Sequence, residues 1–190
     1  IRSPCACPPN PAAALLRGAR GNSGVILSLV FRGISNGFKG KKEVGGKDLA
    51  AALTLGKESA YKAVMKPTEG TILTVVRKAA AAAEALASDD CGAVLDEAYR
   101  AAQEALAETP ELLPVLKEAG VVDAGGQGFL YILDGIRGYI NEGKFIESND
   151  DASPAKSNAE ESKSVVAAAS GDIKYGYCSE FLIRRAHRSN

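Results

Sequence analysis

The stretch Gly18–Phe31, GARGNSGVILSLVF, joins a run of small residues to a continuous apolar segment. Glycines and small polar residues are typical of turns, whereas the apolar part favours a helix. A helix start carries unpaired backbone N–H groups and the positive end of the helix dipole, so it can bind an anion. Ser23 adds a hydroxyl donor, and the stretch therefore predicts a phosphate site. It is not a Walker A loop, because the Gly-Lys-Ser/Thr of that motif is absent.

Apolar residues recur at helical spacing through the middle of the chain. This spacing predicts apolar helix faces within Val25–Gly33, Leu49–Val64, Ile72–Leu86 and Val94–Leu106. Asp48 is expected to begin the second of these helices and Thr68 to cap the third, while Thr109-Pro110 ends the fourth. Two further helices are predicted, over Glu111–Glu118 and from about Gln127 to Asn141. Period-two alternation of useful length is absent before residue 170, so the predicted fold class is all-α, and the many alanines suit a compact bundle or helical barrel.

Charge and cysteine content narrow the classes of function. The chain has 23 basic and 23 acidic residues, and no Lys/Arg run with interleaved aromatic residues, which argues against a nucleic-acid partner. No apolar segment approaches the length of a membrane span. The spacing of Cys5, Cys7, Cys91 and Cys178 fits neither a zinc site nor a Cys-x-x-Cys pair. Free thiols and a cytoplasmic location are therefore predicted.

The composition predicts four segments. Residues 1–14 form an unrelated or disordered leader, and residues 15–141 form the helical domain. Residues 142–171, rich in Ser, Asn, Asp, Lys and Ala, are expected to be a flexible linker. Residues 172–190 contain a predicted strand, which cannot bury itself alone and is expected to open a truncated second domain.

Three segments place glycine and polar residues between helical blocks: Gly21–Gly24, Lys66–Ile72 and Gly120–Gly128. One interpretation is that all three are helix connectors with ordinary caps, Asp123 being only the cap of the helix that follows it. The other is that the three segments form one site at an end of the bundle, because sites in bundles are built from facing elements. The spacing does not decide between the two.

Three stretches resemble a known family: Gly18–Ser28 (GARGNSGVILS), Met65–Val75 (MKPTEGTILTV) and Gly120–Gly128 (GVVDAGGQG). They are similar, in this order, to the DhaL-type domain, the ATP-binding domain of dihydroxyacetone (glycerone) kinases. The resemblance is closer to the N-terminal domain of bacterial fatty acid kinases and covers about Leu15 to Tyr139. Tyr175–Phe181 (YGYCSEF) resembles the start of the middle domain of those proteins.

This resemblance implies a barrel of antiparallel helices that binds ATP at one end. By motif, the phosphate cradle would comprise Gly21, Asn22, Ser23 and Gly24. Thr71 and Ile72 would lie beside the adenine, with Ile26 on its other face. Asp123, Gly125 and Gly126 would form the loop that closes over the nucleotide.

One departure from the family affects catalysis. The family binds two Mg²⁺ ions through an Asp-Gly-Asp-Thr-Gly type motif upstream of the glycine run, and this sequence has no such motif, its first acidic residue being Glu43. Mg²⁺ requires oxygen ligands. We therefore expect ATP as cofactor, Mg²⁺ for the family but without its ligands here, and neither metal-binding nor catalytic residues. The chain is expected to be a fragment of a longer gene or a diverged inactive form.

The resemblance leaves three functions open. The chain could belong to a fatty acid kinase whose substrate is presented by a DegV-like fatty-acid-binding partner protein. It could instead be the ATP-binding subunit of a dihydroxyacetone kinase, with a separate dihydroxyacetone-binding subunit. Because the metal motif is missing, it could also be a non-catalytic helical interaction module. A homodimer is compatible with each.

Overall fold

A computed structural model of the protein describes residues 11–143, which contain seven helices and no strand. The helices are α1 (Pro11–Gly18), α2 (Gly21–Gly37), α3 (Gly46–Ala63), α4 (Ile72–Leu86), α5 (Cys91–Leu112), α6 (Pro114–Ala119) and α7 (Ala124–Glu142). The predicted all-α class is confirmed. In this part of the chain, no helix is both long and apolar enough to cross a membrane.

Helix α4 lies at the centre of the core and packs against α3, α5 and α7. Its buried positions wrap much of its circumference, as expected for a helix with neighbours on several sides. They are Ile72, Leu73, Thr74, Val75, Val76, Ala79, Ala80 and Ala83. Helix α5 contributes a row of alanines to the same core, and their small side chains allow the two axes to approach closely.

Helices α2 and α3 cross in close contact and run antiparallel. Gly33 of α2 lies against Gly56 of α3, and one turn later Gly37 lies against Ala52. The residue number therefore rises along one helix as it falls along the other. A Cβ added to Gly33 would overlap the Leu55 carbonyl oxygen, so backbone meets backbone at this point.

Most residues of the predicted apolar faces are buried or half-buried. The two exposed ones are Val25, at 41%, and Leu86, at 43%. The structure also corrects the first segment, since Gly21–Gly24 is the first turn of α2 rather than a loop ahead of it. Gly21 adopts φ +65°, a left-handed conformation that glycine tolerates, where the chain enters the helix.

The prediction that Thr109-Pro110 ends a helix is wrong, because α5 continues to Leu112 with Pro110 inside it. Proline lacks the N–H that would bond to the Leu106 carbonyl. The Thr109 hydroxyl donates to that carbonyl instead, over 2.6 Å. Beyond the proline, the Leu113 amide still reaches the Thr109 carbonyl at 3.0 Å, so the helical path is kept.

Other helix starts also differ in detail from the predictions: α3 begins at Gly46 rather than Asp48, and α7 at Ala124 rather than at about Gln127. Thr71, not Thr68, is the N-cap of α4, and the Thr68 carbonyl accepts the Thr71 hydroxyl at 2.8 Å. Helix α1 begins at Pro11, within the segment 1–14 predicted as a leader, and packs against α2. The predicted linker beyond Gly143 and the predicted strand lie outside the described residues.

Candidate functional site

The starts of α2, α4 and α7 meet at Gly125. A Cβ built on Gly125 would lie 3.4 Å from Ser23 Oγ and 3.3 Å from Ile72 Cβ. Ser23 belongs to the first turn of α2, and Ile72 is the first residue of α4. The three sequence motifs thus converge on one point. Three positive helix ends are gathered there, which favours an anion.

Of these three helix starts, that of α2 is the one without a side-chain cap. Its N-cap residue, Arg20, makes no side-chain bond to the first-turn amides. The Arg20 guanidinium instead donates to the carbonyls of Gly18 and Ala19, at 3.3 and 3.0 Å. The first amides of a helix have no partner within it, so α2 offers hydrogen-bond donors to a ligand.

The start of α7 is held by Asp123. Its carboxylate accepts the Gly126 amide at 2.7 Å, the capping role that one interpretation of the sequence predicts. Gly126 itself is buried, and a Cβ on it would lie 2.8 Å from Val75 Cγ2. Gly126 therefore lies on the core side of α7, whereas Gly125 lies on the side of the helix starts.

The segment before α4 is fixed by a network around Glu69. The Glu69 carboxylate accepts from the Arg77 guanidinium and from the Thr74 hydroxyl, each at 2.7 Å. Thr74 Oγ1 in turn accepts the Gly70 amide at 2.9 Å. The Tyr61 hydroxyl of α3 accepts from Arg77 Nε at 3.2 Å. Side chains from two helices thus hold the loop in place.

Electrostatics follow from the same contacts. The hydrogen bond from Arg77, followed by that from Thr74, lowers the pKa of Glu69 below its ordinary value of 4.5. The Glu69 carboxylate raises the pKa of Arg77 in return. Burial raises the pKa of Tyr61, so this hydroxyl stays protonated at neutral pH. The network is therefore a paired carboxylate and guanidinium with a neutral phenol.

The pH dependence of stability is expected to reveal the Glu69 interaction. Because the folded-state pKa of Glu69 lies below its ordinary value, its stabilising effect is complete above about pH 4.5 and is lost as the pH falls through the lowered pKa. We expect the melting temperature of the wild type to exceed that of Glu69→Gln at about pH 6 and to approach it at about pH 3. Thermal melts of both proteins across this range test this, and a constant difference would contradict it.

The other predicted site residues occupy different surroundings. Gly21 and Asn22 are exposed at the start of α2, and Gly24 packs towards the backbone of Ala19. Ile26 is half-buried and packs against the core. Ile72 is only 3% exposed, so its side chain lies beneath the meeting point rather than on its surface.

Sequence reasoning missed two groups that position the site. Arg77 and Tyr61 looked like ordinary helix positions, and no local signal marks them. Thr109 was interpreted only as part of a helix stop, yet its hydroxyl accepts the Asp123 amide at 3.1 Å. A threonine directly before a proline in an apolar helical pattern is the signal that could have found it, because its hydroxyl can replace the missing amide.

The described residues do not fit a carboxylate-held Mg²⁺ site. Between residues 11 and 143, no group of three or more His, Cys, Asp or Glu side chains could hold a metal ion. The carboxylate nearest the meeting point, Asp123, already caps α7. We therefore assign no metal-dependent step to these residues.

The fold and the site together define a class of protein: an all-α domain in which three helix starts meet at one end. The sequence profile of the DAK2 domain matches residues 10–138. The chain belongs to this family, which is of the dihydroxyacetone kinase type.

Relatives of the chain are much longer than it is. It is 44% identical over 173 residues to protein SH1689 of Staphylococcus haemolyticus, a match covering 90% of this chain and 31% of that protein. It is also 44% identical over 176 residues to protein YloV of Bacillus subtilis, covering 90% of this chain and 32% of that protein. The chain thus spans about a third of the length of the curated relatives it matches.

Proposed function

We propose that this chain supplies the ATP-binding part of a phosphotransferase that acts on a fatty acid. The observation that carries the proposal is the meeting of three helix starts at Gly125, of which only the start of α2 lacks a side-chain cap. In a member of the DAK2 family, that uncapped turn is the natural place for a nucleotide phosphate.

In this proposal the β- and γ-phosphates bind at the first turn of α2. The backbone amides of Asn22, Ser23 and Gly24 donate to them, and the Ser23 hydroxyl adds a further donor. The starts of α4 and α7 add two more positive helix ends, which favours binding of an anion. Glycine at position 125 lets the start of α7 approach Ser23 and Ile72 closely, so the phosphates in this proposal bind beside that contact.

The adenine is assigned to the side of α4. Thr71 is half-buried at the start of that helix. Its hydroxyl donates to the Thr68 carbonyl and accepts the Leu73 amide. The Glu69 network holds this loop still, which reduces the ordering that nucleotide binding would otherwise require. Ile26 is proposed to contact the opposite face of the base.

Phosphoryl transfer depends mostly on positioning and on neutralising charge. In this proposal residues 11–143 supply the positioning, and within that range no cluster of carboxylates could hold a metal. We therefore assign to this chain the binding and orientation of ATP, and to no residue of it a catalytic role. The acceptor in the proposal is a fatty acid carboxylate presented by a DegV-like lipid-binding partner.

Calorimetric titration of the 190-residue chain with ATP, with and without Mg²⁺, tests the proposal. We expect binding that persists without Mg²⁺ and that adenosine, which lacks phosphates, does not reproduce. We also expect no transfer of labelled phosphate from ATP to a fatty acid held by its carrier protein. Absence of ATP binding at any concentration would contradict the proposal and favour a non-catalytic interaction module. Turnover by this chain alone would overturn the assignment of binding without catalysis.

A further inference from the structure

A buried polar side chain, Thr109, lies near the end of α5. Thr109 is one of three buried polar or charged residues in the described part of the chain, and its exposed fraction is 0%. Its hydroxyl makes two hydrogen bonds in opposite senses. It donates to the Leu106 carbonyl at 2.6 Å and accepts the Asp123 amide at 3.1 Å. The first bond lies within α5, and the second reaches the loop before α7.

Pro110 explains why the hydroxyl is oriented this way. A threonine hydroxyl has one proton to donate and lone pairs to accept with. Because Pro110 has no N–H, the Leu106 carbonyl lacks its usual helical donor and takes the Thr109 proton. The lone pairs of the Thr109 hydroxyl oxygen then remain available to accept the Asp123 amide. The Thr-Pro pair thus converts a helix defect into an acceptor directed at the loop.

That acceptor determines where the start of α7 lies. The Asp123 amide is anchored to Thr109, and the Asp123 carboxylate caps the Gly126 amide. Gly125 lies between these two residues in the chain and is the point at which α7 contacts the starts of α2 and α4. A shift of Asp123 would therefore move the backbone that closes the site.

The same turn of α5 also supports the loop before α4. Gly70, with φ +81°, packs so closely there that a Cβ on it would lie 3.1 Å from the Thr109 carbonyl oxygen and 2.9 Å from Leu113 Cβ. The Gly70 amide belongs to the Glu69 network through Thr74. Two of the three site segments therefore rest on one turn.

We propose that Thr109, oriented by Pro110, is a positioning residue that sets the spacing of the two loops around the nucleotide. This inference rests on the proposed ATP site for its functional meaning. Thr109 does not touch the nucleotide, and it acts through Asp123. Its removal should weaken ATP binding by the folded protein, beyond any effect on stability.

The test uses the full chain and the variants Thr109→Val, Thr109→Ser and Pro110→Ala. Valine keeps the shape but loses the hydroxyl, serine keeps the hydroxyl, and alanine at position 110 restores a backbone donor that competes for the Leu106 carbonyl. Ser28→Ala is the matched control, because Ser28 is also buried and donates within its own helix, to Val25. Amide exchange of Asp123 and Gly126 is measured by NMR without nucleotide, and ATP affinity by calorimetry.

Thr109→Val is expected to lower both the exchange protection of the Asp123 amide and the affinity for ATP. Each should fall by about fivefold to tenfold, which corresponds to the loss of one hydrogen bond. Thr109→Ser should restore both. Pro110→Ala should keep or raise the melting temperature, because alanine suits a helix interior, and still lower the protection of Asp123. A merely structural role would not lower the protection of the Asp123 amide while the melting temperature stays the same or rises.

The inference fails if Thr109→Val leaves the Asp123 amide as protected as in the wild type, or if it weakens ATP binding no more than Ser28→Ala does. It also fails if the serine variant behaves like the valine variant. If the wild type itself binds no ATP, the proposed function fails, whereas the exchange measurements still decide whether Thr109 positions the loop.

Discussion

Gly33→Ala is expected to destabilise the protein by about 3 kcal/mol, the upper range for overpacking a close contact. The added methyl would overlap the Leu55 carbonyl oxygen and lie 2.6 Å from the Gly56 Cα. Both are backbone atoms, so a change of side-chain rotamer cannot relieve the overlap. Helices α2 and α3 would have to move apart along their whole contact. Urea denaturation followed by circular dichroism measures the change.

Gly138→Ala is the matched control, because a Cβ at that position of α7 meets nothing within 4 Å. The same substitution should there raise stability by about 0.5–1 kcal/mol, since alanine loses less backbone freedom than glycine in a helix. The two variants are thus expected to have effects of opposite sign. Equal effects would show that intrinsic helix propensity, rather than the crossing of α2 and α3, decides the outcome at Gly33.

The helices could be predicted from the sequence because their apolar residues repeat at helical spacing. All the apolar positions predicted for the α5 face, from Val94 to Leu106, are buried. The error at Pro110 has a clear physical cause. Proline usually ends a helix because a carbonyl loses its donor, and here a neighbouring hydroxyl supplies that donor. Such compensation depends on the orientation of a side chain, which spacing alone does not reveal.

The meeting of the three motifs could be predicted only in part. Antiparallel packing of α2, α3, α4 and α5 puts the starts of α2 and α4 at the same end. Helix α6 is only six residues long and acts as a connector, so α7 starts at that end as well. The sequence does not reveal that Gly125 is the point of contact, because spacing does not show side-chain contacts such as the bond between Thr109 and the Asp123 amide.

Gly125→Val is expected to lower the affinity for ATP about 100-fold, equivalent to about 2.7 kcal/mol, if the phosphates bind beside the contact between Gly125 and Ser23. The valine Cβ would lie 3.3 Å from Ile72 Cβ and 3.4 Å from Ser23 Oγ, and its two methyl groups extend further into the same space. They would exclude a phosphate and displace the Ser23 hydroxyl. Calorimetric titration with ATP measures the loss, and thermal melts show whether the variant is folded.

Gly135→Val provides the control for this substitution. It lies on the same helix, undergoes the same change in intrinsic helix propensity, and places its Cβ in open space. Its affinity for ATP should match that of the wild type. Comparing the two variants therefore separates occupation of the site from a general effect of valine on α7. If both bind ATP as the wild type does, the phosphates do not lie at Gly125; if both lose affinity equally, the integrity of α7 rather than the space beside Ser23 controls binding.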